Sequence, residues 1–353
     1  MNGLYHLGEL AGGEVEALAA RALALRAGAP ARRFEGLALG LLFLNPSLRT
    51  QASFQRAAGR LGFDLVQLAG GAQGVWGLET RDGQVMDGAA AEHVREAAGV
   101  LGRYVDLLAV RAFAGSRDLA EDLRDPVLQG FRTHAGVPVV NMESALWHPC
   151  QALADRVTLE QHAVPAPTRF VLTWAWHPKP LPHAVPNSTL CMAAQRGMEC
   201  VVLRPPGFAL HADALAEAHR LAAASGGSVR ESEDRAEALA GATVVYAKSW
   251  GSLAHWGDAD AEARHRAPLR DWCVGSDWMA RAAPGARFLH CLPVRRNVVV
   301  SDAVLDGPAS VVLDQAENRL HAQTALLERL AVAVTARPAA TAAKAAAAME
   351  SPA

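Results

Sequence analysis

Several features that would narrow the chemistry are missing from this 353-residue chain. Its five cysteines (Cys150, Cys191, Cys200, Cys273 and Cys291) are scattered, odd in number and form no C-x-x-C pair. That argues against a disulfide framework or a structural zinc site and fits a reducing, cytoplasmic setting. No uncharged apolar run approaches the roughly 18 residues a membrane span requires. The N-terminal stretch MNGLYHLGELAGGEVEAL mixes acids into an amphipathic pattern and does not read as a signal peptide. Charge of one sign is also absent: 34 basic against 36 acidic residues leave a formal net charge of -2, so nothing points to nucleic acid. The 13 histidines are dispersed, with no H-E-x-x-H spacing, and no G-x-x-x-x-G-K-[ST] loop is present. Gly70-Gly71-Ala72-Gln73-Gly74 lacks the G-x-G-x-x-G spacing, which leaves a nicotinamide-dependent oxidoreductase a remote alternative.

What is present is a core-forming composition, 51% hydrophobic and 20% charged, long enough for two domains. Short apolar runs alternate with amphipathic helical stretches, the pattern of parallel α/β layers. Leu37–Leu44 reads as a buried strand, followed by the turn NPSLRT and a helix from about Gln51. Val105–Val110 and Val137–Asn141 read as further strands, with a helix over Glu92–Tyr104 before the first. A second series places strands at Phe170–Trp174, Cys200–Leu203, Thr243–Ala247, Phe288–Cys291 and Ser310–Leu313, with a helix over Ala212–Ala224. A helix over His148–His162 joins the series. The expected architecture is two α/β, Rossmann-like domains (1–147 and 148–314), with ligands in the cleft at the strand C-terminal ends. A last helix, about 315–335, would return to the first domain, and the low-complexity tail 336–353 would fray.

Three short segments concentrate chemistry. Ser47-Leu48-Arg49-Thr50 lies between a buried strand and a helix, where backbone N–H groups, two hydroxyls and a guanidinium converge as a phosphate dianion requires. Alone, it reads equally well as an N-cap serine beside a surface arginine. His148-Pro149-Cys150-Gln151 opens the joining helix and can aim two polar side chains at a carbonyl group; alone, a capping histidine is the plainer reading. His290-Cys291-Leu292-Pro293-Val294-Arg295-Arg296-Asn297 follows a strand and carries two arginines, with a solvated charge pair as the alternative.

Together S-x-R-T, H-P-x-Q-x-L-A-D and H-C-L-P, in this order in an α/β chain, resemble the carbamoyltransferase family that includes the aspartate and ornithine enzymes. The resemblance runs from about Leu37 to Leu330. Within the family, Gly74–Gly88, Ala91–Phe113, Val171–Ser188, Val244–Ser252 and His290–Asn297 resemble the branch acting on N-acetylornithine and N-succinylornithine. The resemblance implies that carbamoyl phosphate is held by Ser47, Leu48 (through its backbone), Arg49, Thr50, Arg111, His148, Gln151 and Arg319. The carbonyls of Cys291 and Leu292 would receive the carbamoyl NH₂. Arg49, Arg111 and His148 would polarise the carbonyl oxygen as charge develops. It implies no metal or organic cofactor, a cytoplasmic enzyme of arginine biosynthesis, and a homotrimer in which Trp76, on an exposed loop, enters a neighbour's site. The family's usual S-x-R-T-R ends here in Gln51.

For the second substrate, the resemblance points to Glu143, His177, Asn187, Lys248 and Arg295. Where ornithine enzymes present an aspartate to a free α-ammonium, this chain has Lys248, which would repel an ammonium and suits a carboxylate beside an acylated nitrogen. Acetylornithine enzymes are expected to carry a glutamate where this chain has Ala91, and a lysine shortly after R-R-N where it has Val298-Val299-Val300. Both departures favour N-succinyl-L-ornithine, since losing a carboxylate frees room and removes repulsion for a distal succinyl carboxylate. Drift at Ala91 in an acetylornithine enzyme is the alternative; an ornithine carbamoyltransferase and a non-catalytic family member are more distant ones.

Overall fold

A computed structural model describes residues 3–69 and 76–349, with side chains described up to residue 336. The glycine-rich segment Gly70–Gly74, Val75, and the end of the tail lie outside the described residues. The first lobe contains β1 (Gly3–Leu4), β2 (Ala38–Phe43), β3 (Asp64–Ala69), a small pair β4 (Leu78–Glu79) and β5 (Glu92–His93), β6 (Leu107–Arg111) and β7 (Val139–Glu143). Its main sheet is parallel, ordered β1-β7-β6-β2-β3. The second lobe contains β8 (Arg169–Trp174), β9 (Glu199–Leu203), β10 (Ser228–Ser232), β11 (Ala242–Lys248) and β12 (Arg287–Leu289). They form a second parallel sheet, ordered β10-β9-β8-β11-β12.

Composition explains the sheets. Central strands β6 and β7 are buried along their whole length, as strands covered by helices on both faces must be; β6 is apolar up to its closing Arg111, whereas β7 buries Asn141 and Glu143 among its apolar residues. The edge strands β3 and β10 alternate exposed and covered residues and carry polar side chains; the sequence reading passed over both. Ser310–Leu313 is not a strand. Only Ser310 bridges to Phe288, and the last helix starts at Val312. Val311 and Val312 face the core while Leu313 and Asp314 point out and Gln315 returns inward, which is a helical period rather than the period of two a strand needs. Likewise Glu92–His93 is strand and not helix. The helix begins at Val94 because the His93 side chain accepts the Arg95 N–H as its N-cap.

Two helices tie the lobes together. Pro149–Gln161 is buried over nearly all its length, and the last helix packs on it as well as on Gly12–Arg26 and Leu48–Leu61 of the first lobe. That last helix spans Val312–Met349, passing beyond its expected end near residue 335 into the alanine-rich tail, alanine being the strongest helix former. No helix among the described residues is long and apolar enough to cross a membrane.

On the outer face of the first sheet the helices Val94–Tyr104 and Pro126–His134 pack closely, because Gly102 presents no side chain to the backbone around Ala135. A methyl group at Gly102 would overlap the Ala135 carbonyl oxygen. Gly102→Ala should therefore destabilise the chain by about 2 kcal/mol despite alanine's better helix propensity. An unchanged or raised urea midpoint would contradict this packing.

Candidate active site

The carboxyl ends of the parallel strands from both lobes open onto one cavity of about 390 Å³. β2 leads to Pro46–Arg49, β6 ends in Arg111, β7 ends in Glu143, β11 ends in Lys248, and the turn after β12 supplies Cys291–Pro293. His177 comes from the loop after β8, His148 and Gln151 from the first turn of Pro149–Gln161, and Arg319 from the last helix.

Local structure fixes the phosphate-side groups. Ser47 is the N-cap of Leu48–Leu61: its Oγ accepts the Thr50 N–H at 3.4 Å and donates to Thr50 Oγ1 at 2.9 Å. Arg319 Nη2 donates to the same Thr50 oxygen at 2.6 Å, so the turn is locked to a helix 269 residues away in sequence. Arg111 Nη1 donates to Glu143 Oε2 at 2.6 Å, and its guanidinium also stands 4.5 Å from the Phe113 ring. The Nε atoms of Arg49, Arg111 and Arg319 are buried with no hydrogen-bond partner. Four cationic side chains line the cavity, against the single carboxylate of Glu143. An unpaired buried donor costs on the order of 1–3 kcal/mol, more when charged, so this arrangement calls for an anion.

The histidines are neutral. Burial holds the His148 imidazole well below its usual range, helped by Arg319, Arg111 and Lys248. Its Nδ1 accepts the Gln151 N–H as a helix cap, so the ring proton sits on Nε2, 3.4 Å from Glu143 Oε2. His148 is thus a neutral donor facing the cavity. His290 is also held well below its usual range, chiefly by burial, and its Nδ1 accepts the Leu292 N–H at 2.9 Å. That bond supports Leu292 at φ +52°, a conformation a leucine rarely adopts. Strain of this kind gathers at functional sites. Gln151 is anchored below the cavity by Asp155, whose carboxyl is pushed up to about 6 by burial, against the pull of Gln151, Gln315, Thr189 and Tyr246.

The opposite wall carries Lys248 and His177. Arg295 Nε donates to His177 Nε2 at 3.1 Å; arginine only donates, so the histidine proton is on Nδ1, bonded to the Lys179 carbonyl at 2.8 Å. The deeply buried Arg266 donates to the carbonyls of His177 and Lys179 and pairs with Glu262, whose carboxylate accepts the Ser252 N–H. These links steady both loops of this wall.

Of the residues expected to bind ligand, Ser47, Leu48, Arg49, Arg111, Glu143, His148, Gln151, His177, Lys248, Cys291, Leu292 and Arg319 all meet at the cavity. Thr50 stands behind it as a fully buried support, and Arg295 reaches it through His177. Asn187 is also fully buried behind the wall, bonded to the Leu146 carbonyl and with its Oδ1 unpartnered. Trp76 and Ala91 do not line this chain's own cavity. Trp76, expected on an exposed loop, is half-buried: its indole N–H donates to Glu92 at 2.8 Å and it packs against the cluster that holds Val94 and Leu108. Gln51 lies outside the lining. The sequence reading missed Phe113, Leu181, Pro182 and Val185 as members of the lining: they lie in segments that carry the resemblance, but as apolar residues they bear no chemistry that marks them as contacts. No group of three or more metal-ligating side chains occurs among the described residues.

Two family descriptions match the chain: "Aspartate/ornithine carbamoyltransferase, carbamoyl-P binding domain" over residues 3–161, and the "Asp/Orn binding domain" of the same family over residues 182–330. An N-acetylornithine carbamoyltransferase of Xanthomonas campestris pv. campestris is 43% identical over 321 residues, covering 90% of this chain and 94% of that one. An N-succinylornithine carbamoyltransferase of Bacteroides fragilis is 38% identical over 304 residues, covering 84% and 90%. A solved structure superimposes with a TM-score of 0.89 at 41% identity, covering 94% of this chain and all of that one. It is an N-acetyl-L-ornithine transcarbamylase variant with a glutamate replaced by alanine, in complex with carbamyl phosphate and N-succinyl-L-norvaline.

If the unpaired guanidinium donors await an oxyanion, inorganic phosphate should raise the melting temperature, and Arg49→Ala should weaken its affinity about tenfold or more. A variant that keeps the full phosphate-dependent shift would remove Arg49 from the anion grip.

Proposed function

The chain belongs to the aspartate/ornithine carbamoyltransferase family and is a carbamoyltransferase, and from that premise we propose that it transfers the carbamoyl group of carbamoyl phosphate to the δ-amine of N-succinyl-L-ornithine. The observation that carries the proposal is the convergence of four cationic side chains, Arg49, Arg111, Lys248 and Arg319, on one cavity opposite a single carboxylate and beside a neutral, proton-donating His148. The phosphate dianion sits against the Ser47–Thr50 turn and the guanidinium groups of Arg49, Arg111 and Arg319. The carbonyl oxygen faces His148 Nε2–H, and the NH₂ faces Gln151 Oε1 and the carbonyls of Cys291 and Leu292. The neutral δ-amine attacks the carbonyl carbon. The tetrahedral intermediate collapses with cleavage of the C–O bond to phosphate, and a proton from the attacking nitrogen leaves with the phosphate. The cations need not move as negative charge grows, which is the main source of such stabilisation.

Charge selects the amine. With three arginines occupied by phosphate, Lys248 and Arg295 remain on the facing wall for carboxylates, and no acid there is left to meet a free α-ammonium apart from Glu143, already bonded to Arg111. N-succinylornithine brings two carboxylates. A related enzyme of the acetyl branch was solved with an N-succinyl ligand once one glutamate had become alanine; Ala91 stands where the resemblance expects that branch's glutamate. N-acetyl-L-ornithine is the second reading, favoured by the 43% identity to an enzyme of that name. We further infer a trimer with shared sites, supported by the exposed Val85 and Met86, which follow Trp76 in the chain, and by Leu65 on the edge strand β3.

With carbamoyl phosphate and three amines side by side, N-succinylornithine should give the highest kcat/KM, N-acetylornithine a lower one, and ornithine none. Ala91→Glu should lower the succinyl value about tenfold or more while sparing the acetyl one. Turnover of ornithine alone would contradict the Lys248 argument, and an acetyl preference in the native chain would establish the second reading.

The pH profile follows from the same chemistry. His148 stays neutral above its depressed range, while the attacking amine deprotonates near 10. The kcat/KM for the amine should therefore rise through the neutral range without a break near 6.5, where an ordinary histidine would titrate. A break clearly above about 6, where the Asp155 carboxyl titrates, would show that His148 cycles its proton.

A further inference from the structure

Asp155 is a fully buried carboxylate that touches neither the cavity nor any cation, yet three side chains donate to it. Its Oδ1 accepts Gln151 Nε2 at 2.8 Å and Gln315 Nε2 at 2.7 Å, and its Oδ2 accepts Thr189 Oγ1 at 3.0 Å. Gln315 lies 160 residues further along the chain, on the last helix, and its own Oε1 accepts the backbone N–H of His290 at 3.0 Å. His290 precedes Cys291 and Leu292, whose carbonyl groups border the cavity. The two amides therefore radiate from one oxygen atom, one toward each half of the cavity floor.

We propose that Asp155 is a positioning residue that sets which end of each amide faces the reacting group, and so builds the acceptor set for the carbamoyl NH₂. The inference rests on carbamoyl phosphate being the ligand. An ionised carboxylate has lone pairs and no hydrogen, so both glutamines must turn their NH₂ ends to it. Gln151 is then forced to present Oε1 to the cavity side, where Arg319 Nη1 stands 3.5 Å away. Gln315 is forced to present Oε1 to the His290 N–H, which holds the start of the Cys291–Leu292 turn. Without the carboxylate, Gln151 keeps only its long bond from Arg319 and loses the acceptor that fixes its NH₂ end, so it can turn and offer N–H donors to the carbamoyl N–H donors; Gln315 keeps the His290 N–H and Tyr246 and loosens less. Asp155 thus acts at the carbamoyl end of the ligand and leaves the phosphate end to other groups.

Acetyl phosphate tests this directly, because it keeps the phosphate and the carbonyl but replaces the NH₂ with a methyl group. Affinities for freshly dissolved carbamoyl phosphate and for acetyl phosphate are measured by calorimetry at pH 8, in the full-length chain and in Asp155→Leu, which removes the acceptor both amides use. The native chain should prefer carbamoyl phosphate by about tenfold or more. In Asp155→Leu the preference should collapse towards unity while acetyl phosphate binds within about twofold of native. A purely structural role would weaken both ligands together and leave the ratio intact, which would overturn the proposal, as would an unchanged ratio with unchanged affinities. Should Asp155→Leu not fold, Gln315→Met severs the Cys291–Leu292 arm alone. It should lower the ratio in the same direction by a smaller factor; an unaltered ratio would again overturn the proposal. If the native chain binds neither acyl phosphate, the carbamoyl-phosphate reading itself fails and takes this inference with it.

Discussion

Guanidinium groups placed at the edge of the protein interior with too few carboxylates to match them govern how this cleft works. Arg319 and Arg111 are almost fully buried, Arg49 is half-covered, and Glu143 is the carboxylate available at the cavity. Burying cations unpaired opposes folding. The fold tolerates them by pairing Arg111 with Glu143 and stacking it on Phe113, and by bonding Arg319 to the neutral oxygens of Thr50 and Gln151. These contacts hold the arginines in place without satisfying them. The cleft therefore presents a preset field to a small dianion, and an approaching nucleophile meets a carbonyl already polarised.

The α/β architecture makes the convergence possible. Parallel strands point their carboxyl ends the same way, so each lobe delivers side chains to one edge, and two lobes facing each other enclose a cavity. The two tying helices complete it. One brings His148 and Gln151 on its first turn, and the other brings Arg319 back across the first lobe. Burial then sets protonation. His148, His290 and His177 are all held below their usual range, so the positive charge in the cleft belongs to arginine and lysine, and the imidazoles serve as neutral donors or acceptors. A chain relying on charged histidines would lose this grip as pH rises, and this one does not.

Much of this was legible in the sequence because the decisive chemistry lies in contiguous turns. Ser47–Thr50, His148–Gln151 and His290–Leu292 each combine a cap or turn with its functional side chains, so local pattern and function coincide. Buried strands such as β2, β6 and β9 were visible as apolar runs. Edge strands β3 and β10 were not, since half-exposed polar residues erase that signal. The run at Ser310–Leu313 looked like a strand because composition alone does not show that Leu313 faces solvent. Least visible were contacts between distant segments. Nothing local in the sequence joins Asp155 to Gln315, Arg266 to the His177 loop, or the Trp76 indole to Glu92. Each is a product of tertiary packing.

The account turns on a single claim: the unsatisfied arginine donors are completed by the phosphate of carbamoyl phosphate. A crystal structure of the chain with carbamoyl phosphate and the unreactive N-succinyl-L-norvaline tests it most directly. The account predicts phosphate oxygens within hydrogen-bond reach of Arg49, Arg111 and Arg319 at the Ser47–Thr50 turn. It also predicts the carbamoyl oxygen beside His148 and a carboxylate of the norvaline ligand near the cationic wall of Lys248 and Arg295. An anion bound outside the cleft, or arginines turned to protein carboxylates while the cleft stays empty, would contradict it.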